Sequence, residues 1–311
     1  MNRSNPTVTA VIVTYQSRKL VGAALDTLHD GYRAGVVRVV VVDNASGDGT
    51  ADFVADRYPW VKLLRNETNV GFGRGCNRAI EHAVTPYMLL LNPDATLDSA
   101  SLNELVAFME THPRAGMCAP AIVQAGGELQ KAGGLPTPLE VVLAPLGYWR
   151  LSNRRRSIVP GSEPARTDWL CGAALLLRRT TIERIGGFDP RFFLYFEETD
   201  LCRRALEDGW ELWTVGKAIA RHIVGASAQT TGERLHWHAI ADHYYRSRFY
   251  YLAKHFGLIP AIMADLGEVA SMLLRTPIDL LRGRENGHVR LRLKAPLLQP
   301  PPAAGRVSNG L

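Results

Sequence analysis

The chain has only four cysteines in 311 residues, Cys76, Cys118, Cys171 and Cys202, and they form neither a CxxC pair nor a disulfide framework. That scarcity excludes a small disulfide-stapled secreted domain and a thiolate zinc site, and fits a reducing, cytoplasmic setting. Long apolar runs are missing as well. The best candidate for a membrane span, 258–274, is interrupted by Asp265 and Glu268, whereas a span needs about 18 or more uninterrupted apolar residues. No leader peptide is expected: residues 1–6 are polar, and the first apolar run, 8–13, leads into Thr14 and Gln16 instead of a cleavage site. The net charge of +6 is concentrated around Arg150 and 154–156 and in 282–294. Such an excess fits nucleic acid, anionic lipid, a phosphorylated substrate or a solvated face, and charge alone does not choose. No DNA- or RNA-binding motif is present, which argues against nucleic acid as a partner.

What is present is 46% hydrophobic residues in repeating strand and helix patterns, enough for a sizeable core. Residues 8–13, 36–42 and 61–64 read as strands, with Val21, Leu25 and Leu28 at helical spacing and a helix over 50–57. The run 87–91, between Pro86 and Asn92-Pro93, suits a strand buried on both faces. This alternation predicts an α/β fold with a mostly parallel sheet flanked by helices. Ligands bind beyond the carboxyl ends of such strands, where Asp43 and Asp94 stand. Taken alone, Asn92-Pro93-Asp94 reads at least as readily as a turn.

Further along, 125–164 is rich in Gly, Pro and Arg without a period and reads as a long mobile excursion over the active face. Residues 169–177 read as a central strand and 210–215 as another, followed by Arg221-His222; 237–256 reads as an aromatic, basic helix. Ile262, Leu266, Val269 and Leu273 mark a further amphipathic helix. Glu197, Glu198 and Asp200 open a helix, a position the macrodipole favours for acids on structural grounds alone. Asp200 and Arg204 are four apart and suited to pair.

Asp43, Asp94, the 197–200 cluster and His222 thus follow one another at sites a parallel sheet can bring to one edge. Added to them are Ile12-Val13-Thr14-Tyr15, Asn44-Ala45-Ser46-Gly47-Asp48-Gly49-Thr50, Asn69-Val70-Gly71-Phe72-Gly73 with Asn77, and Leu91-Asn92-Pro93. Trp169-Leu170-Cys171-Gly172-Ala173, Gly186-Gly187-Phe188-Asp189 and the segment 197–204 complete the set. By these motifs the chain, from Val8 to Arg248, resembles the family 2 glycosyltransferases of the GT-A (Rossmann-like) fold. Among them it is similar to bacterial rhamnosyltransferases that extend polyprenyl-diphosphate-linked sugars.

The resemblance implies that Thr14, Tyr15 and Asp43 line the base and ribose of a nucleotide sugar, with Asn69 and Gly71 shaping the loop beside them. Arg74 is then a candidate for the diphosphate, or equally a solvated loop charge. Asn92 stands where the family's Asp-x-Asp motif has its first Asp, so the ligands implied for Mg2+ or Mn2+ are Asp94 and a helper, His222, with His236, His238 and His243 as competitors. Glu198 occupies the general-base position, where relatives carry Asp, and Glu197 is its substitute. The implied reaction inverts the anomeric centre, moving L-rhamnose from dTDP-L-rhamnose to a polyprenyl-diphosphate-linked saccharide in cell-envelope polysaccharide assembly. A UDP-hexose donor and a catalytically silent nucleotide-sugar-binding subunit are the alternatives.

The implied layout is a catalytic domain over 1–235, a basic helical extension over 236–295 and a disordered tail over 296–311. The cations and aromatics of 150–156 and 237–254 suit peripheral attachment to the membrane surface at the inner face of the cell membrane, or packing onto the catalytic domain. Whether the chain forms a homo-oligomer is left open.

Overall fold

All seven residues of β1 (Val8–Thr14) are buried, so the strand is covered on both faces and lies inside the sheet. Parallel to it run β2 (Val37–Asp43) on one side and β4 (Tyr87–Leu91) on the other, with β3 (Lys62–Arg65) beyond β2. The crossovers are α1 (Val21–Arg33), α2 (Thr50–Arg57) and α3 (Phe72–Ile80). Val8, Ala10 and Ile12 join Val21, Leu25 and Leu28 of α1 in one core cluster. On the opposite face α3 approaches so closely that a Cβ at Gly75 would stand 2.7 Å from a Val13 methyl. The computed structural model describes residues 6–147, 156–223, 235–281 and 287–301.

Beyond β4 the sheet is mixed. The chain continues through β5 (Ala95–Leu97), α4 (Ser99–Thr111) and β6 (Ala115–Gln124), and later β9 (Ala165–Thr167), β10 (Ala174–Arg178), α6 (Arg179–Ile185) and β11 (Glu211–His222). The strand order is β3-β2-β1-β4-β10-β6-β11-β5, with β9 also on β11. β10 is antiparallel to both its neighbours, β11 is parallel to β6, and β5 and β9 are antiparallel to β11. The strand expected over 169–177 is confined to Ala174–Arg178, and the one expected over 210–215 extends to His222. Within α4, Asp98 caps the first turn by accepting from Ser101 N at 2.7 Å, and Leu102, Leu105 and Met109 are buried.

The described chain forms two compact units. One gathers Met1–Gly133, Arg156–Asp189 and Glu197–Thr231; the other gathers Gly134–Arg155, Pro190–Phe196 and Gly232–Leu311. The second unit is therefore assembled from three stretches of chain, where a single extension from 236 was expected. The excursion over 125–164 is also more structured than its composition suggests. It carries β7 (Lys131–Ala132), paired with β8 (Arg156–Ser157) in the first unit, and α5 (Pro138–Leu143), which Thr137 and Glu140 close with a capping box in the second. Arg150, Arg154 and Arg155 lie outside the described residues.

The second unit is built on α8 (Leu235–Phe256), α9 (Leu258–Leu281) and α10 (Gly287–Lys294). Its core contains Phe192, Phe196, Phe249, Tyr250, Tyr251 and Leu252. The aromatic half of 237–256, read as suiting a membrane surface or packing, is thus largely packed inside; the side chain of Trp237 lies outside the described ones. Of the tail expected to be disordered, 296–301 is described, with Leu298 N donating to Asp265 Oδ2 at 3.1 Å; residues 302–311 lie outside the described residues.

Candidate active site

β1 and β2 end in register, Thr14 beside Asp43. The Thr14 hydroxyl donates to Asp43 Oδ1 at 2.9 Å, Ser46 Oγ donates to the same oxygen at 2.6 Å, and Ser46 N donates to Oδ2 at 2.9 Å. Three donors therefore fix a carboxylate that is only 2% exposed. Ala45 and Gln16, at φ 58 and φ 52, occupy left-handed conformations in the two turns that frame it, strain of a kind that collects at ligand sites. Tyr15, in the first of these turns, is partly exposed, and Thr14 is fully buried.

The next loop closes on the same edge. Asn69 Oδ1 accepts from Gly71 N at 3.0 Å, and Gly71, at φ 86, caps α3. Asn44, one residue past β2, donates from Nδ2 to Gly71 O at 3.1 Å and accepts from Asn66 Nδ2 at 2.6 Å. Arg74 stands in the first turn of α3, partly exposed.

Asp94 and His222 are brought together by backbone pairing. β5 and β11 run antiparallel with Ala95 opposite His222, and Ile223 N donates to Asp94 O at 3.0 Å. The His222 Nε2 group, as donor, consequently lies 3.1 Å from Asp94 Oδ1, with the Asn92 side-chain amide 3.4 Å away. Both Asp94 and His222 are 9% exposed, and His222 Nδ1 is buried without a hydrogen-bond partner among the described residues. With the imidazole proton on the unpartnered Nδ1, His222 Nε2 and Asp94 Oδ1 are close enough to share a divalent cation that takes its other ligands from phosphate oxygens. Among the described residues no third His, Cys, Asp or Glu completes a metal cluster. Of the competing histidines, His243 stacks on Phe193 in the second unit, and the side chains of His236 and His238 lie outside the described ones.

Glu197 and Glu198 open α7 (Glu197–Glu207) and diverge from there. Glu197 is 5% exposed and its Cβ would lie 3.6 Å from a Cβ placed on Gly73, on the α3 side. Glu198 is partly exposed and faces Gly172, where an added Cβ would stand 3.7 Å from its own. Burial, and then the neighbouring Glu198 charge, hold the Glu197 carboxyl well above the usual carboxylate range. Burial also raises Glu198, against backbone N–H donors of its own residue and of Thr199 that favour the anion. The Asp200–Arg204 pair forms as expected, Arg204 Nε donating to Asp200 Oδ2 at 2.7 Å. Arg204 also donates to Ile185 O at 2.6 Å and to Gly187 O at 2.7 Å, tying α7 to the Gly186-Gly187-Phe188-Asp189 turn.

Glu197 makes stability fall as pH rises. Its unfolded form loses the proton near pH 4.5 while the folded form retains it, so between 4.5 and the raised folded pKa the native state binds more protons and loses stability with increasing pH. Glu197→Gln removes this dependence. The variant is expected to melt above wild type at pH 8 and to converge with it below pH 4.5, as read by scanning calorimetry across pH; identical profiles would refute the assignment.

Three features of the site were not anticipated. Asn77 donates from Nδ2 to Phe188 O at 2.8 Å and accepts from Phe188 N at 2.9 Å, mimicking a strand partner and locking α3 to the Gly-Gly-Phe-Asp turn. Trp169 Nε1 donates to Thr199 Oγ1 at 3.0 Å, which fixes the Cys171-Gly172 segment against α7. Cys171 itself feels the charges of Glu198 and Asp94, and burial pushes its thiol up to about 12. Side-chain amides beside glycine-rich turns were the available signal for Asn77 and Asn44; nothing in the sequence pairs Trp169 with Thr199.

Residues 9–185 match the model of the family described as Glycosyl transferase family 2. The chain is 32% identical over 236 residues, 70% of its length and 75% of the relative's, to the N-acetylglucosaminyl-diphospho-decaprenol L-rhamnosyltransferase of Mycobacterium tuberculosis. To Rhamnosyltransferase WbbL of Escherichia coli it is 26% identical over 195 residues, 59% of this chain and 70% of that one. The fold is also similar to that of mannosyltransferase PcManGT from Pyrobaculum calidifontis, solved with GDP-Man and Mn2+. There the TM-score is 0.55 at 17% identity, covering 94% of this chain and 85% of that one. S. aureus TarS 1-349 in complex with UDP gives 0.55 at 15% identity, over 90% and 93%. A mixed sheet with acids at its carboxyl edge, matched by the family model over more than half of the chain, leaves one assignment: this protein belongs to glycosyl transferase family 2 and is a glycosyltransferase of the GT-A fold.

Proposed function

We propose that this glycosyltransferase moves L-rhamnose from dTDP-L-rhamnose to a polyprenyl-diphosphate-linked saccharide, inverting the anomeric configuration, in cell-envelope polysaccharide assembly. The names of its rhamnosyl-transferring relatives support the sugar and the lipid-linked acceptor. The observation that carries the chemistry is the approach of Glu198 and Asp94 to one segment, Cys171-Gly172, at the edge where β2 delivers Asp43.

Each residue has a task in this reading. Asp43, its orientation set by Thr14 and Ser46, keeps a free lone pair on Oδ2 for a nucleoside donor group. Tyr15 and the turn made by Asn69 and Gly71 shape the base and ribose pocket, and Arg74 faces the diphosphate. Asp94 and His222, steadied by Asn92, would hold Mg2+ or Mn2+, which when bound supplies positive charge to the departing diphosphate. Glu198 accepts the proton of the acceptor hydroxyl as its oxygen attacks the anomeric carbon opposite the diphosphate. Burial, and then the Glu198 charge, hold Glu197 well above the usual carboxylate range and favour its protonated form, so Glu198 is the member assigned to take the proton.

A lipid-linked acceptor brings the reaction to the inner face of the cell membrane, with the chain bound peripherally; no helix among the described residues is long and apolar enough to cross a membrane. Purified protein incubated with a panel of nucleotide sugars, a polyprenyl-diphosphate saccharide and Mg2+ or Mn2+ is expected to form glycolipid from dTDP-L-rhamnose. Product from a UDP-hexose alone would overturn the donor. Tight donor binding without product, unchanged in Glu198→Gln, would make the chain a silent binding subunit.

A further inference from the structure

Helix α9 is turned inside out for a helix in water. Its buried residues are Ala261, Ala264, Asp265, Glu268, Ser271 and Asp279, small or acidic, with no large apolar side chain among them. Every residue of the helix that is exposed is apolar. Ile259 is 72% exposed, Met263 64%, Leu266 50%, Leu274 72% and Leu281 89%. At 24 residues the helix is about 36 Å long, and exposed apolar side chains recur from one end to the other. Scattered surface leucines need no explanation, but a continuous face of this length marks a contact with an apolar partner.

Charge chooses the partner. All three carboxylates of α9 point inward and are matched by arginine. Arg248 Nη2 lies 2.9 Å from Asp265 Oδ1 and 2.6 Å from Glu268 Oε2, Arg292 Nε lies 2.7 Å from Glu268 Oε2, and Arg275 Nε lies 3.0 Å from Asp279 Oδ2. Arg292, which is 0% exposed, stacks 4.3 Å from the Tyr245 ring centroid. Neighbouring α10, held to α9 through Arg292, exposes Arg290, Leu293 and Lys294. The outer surface thus combines apolar side chains with cations and shows no carboxylate from α9. The inward acids also exclude a transmembrane course, since a span would carry them into hydrocarbon. A helix of this kind lies in the plane of a lipid interface.

We infer that the outer face of α9, flanked by α10, is a docking surface for an anionic lipid monolayer, with Ile259, Met263, Leu266, Leu274 and Leu281 entering the acyl region. The choice of lipid over another apolar partner rests in part on the lipid-linked acceptor proposed above. It moves the anchor away from α8, whose Phe249, Tyr250 and Tyr251 are core.

The test is flotation of the full chain with vesicles of phosphatidylcholine and phosphatidylglycerol at 7:3 (about 30% anionic) or of phosphatidylcholine alone. Wild type is expected to float with the mixed vesicles and weakly with the neutral ones. The combined variant Ile259→Ser, Leu274→Ser, Leu281→Ser is expected to partition about tenfold less or worse. These positions are exposed, and an unchanged melting temperature and donor affinity establish that the variant is folded. Equal partitioning of variant and wild type overturns the inference. So does a lipid-free wild-type dimer that the variant converts to monomer, which would make the face a contact between copies. Transfer to a short, water-soluble acceptor is read in parallel: flotation lost in the variant with transfer retained supports the docking face, whereas wild type that floats but transfers no sugar counts against the sugar-transfer reading alone.

Discussion

Glu198→Gln is expected to lower kcat for sugar transfer by about 10²–10⁴-fold, the usual worth of a general base, while donor affinity stays near that of wild type. Gln keeps the volume and hydrogen-bonding reach of Glu, so the variant isolates proton transfer from positioning. Glu198 opens toward Gly172 and the Cys171 segment, whereas Glu197 is buried on the α3 side. Because burial raises Glu198 above its ordinary value of 4.5, its basic form fills later as pH rises. The acidic limb of the kcat/KM profile therefore lies above pH 4.5 in wild type and is absent from the residual activity of the variant. Initial rates with saturating donor across pH 4–9 (a range spanning roughly the carboxylate and histidine pKa values), with donor titration calorimetry, give both quantities. A Gln variant within about tenfold of wild type would transfer the base to another residue. Glu197→Gln is expected to leave kcat nearly unchanged, since an amide resembles the protonated acid it replaces.

Asp94→Ala and His222→Ala are each expected to cost about 10²–10³-fold in kcat/KM, equivalent to about 3–4 kcal/mol of transition-state stabilisation. The two side chains lie 3.1 Å apart and share one task in the proposed mechanism. Residues that act as a unit are not additive, so the double variant is expected to be little worse than either single one. Excess chelator should bring wild type to the level of the variants and leave the variants where they are. Wild-type rates in chelator, or a double variant showing the product of the single losses, would separate Asp94 and His222 into unrelated roles.

How much of this was readable from residues alone varied with the physics that signals it. The first half of the sheet was legible because β1, β2 and β4 are largely buried, β-branched or leucine-rich runs, with Asp43 closing β2 and Asp94 soon after β4. β6 was missed: its sequence, Ala-Gly-Met-Cys-Ala-Pro-Ala-Ile-Val-Gln, has few β-branched residues and a proline, and only its place between β10 and β11 makes it a strand. β5, three residues long behind Pro93, gave no pattern to read. The site residues were each visible as candidates, but their partners were not. Which of two adjacent glutamates faces the Cys171 segment depends on Gly73 and Gly172, residues far away in sequence. Helix α9 was legible only in part, since the spacing of Ile262, Leu266, Val269 and Leu273 marks an amphipathic helix without assigning its apolar side to core or surface. Periodicity reports that a helix has two faces and leaves open which medium each one meets.

The pairing of β5 with β11 also sets a timetable. His222 follows Asp94 by 128 positions, and the two are joined only when the last strand of the sheet adds to an edge already formed. During synthesis a chain that has emerged as far as β10 carries Asp43 and Asp94 and still lacks one member of the candidate ligand pair. Long-range pairings of this sort form late, after their loop entropy has been met. Premature termination before residue 211 would therefore leave fragments with an exposed β6 edge and without the Asp94–His222 pair.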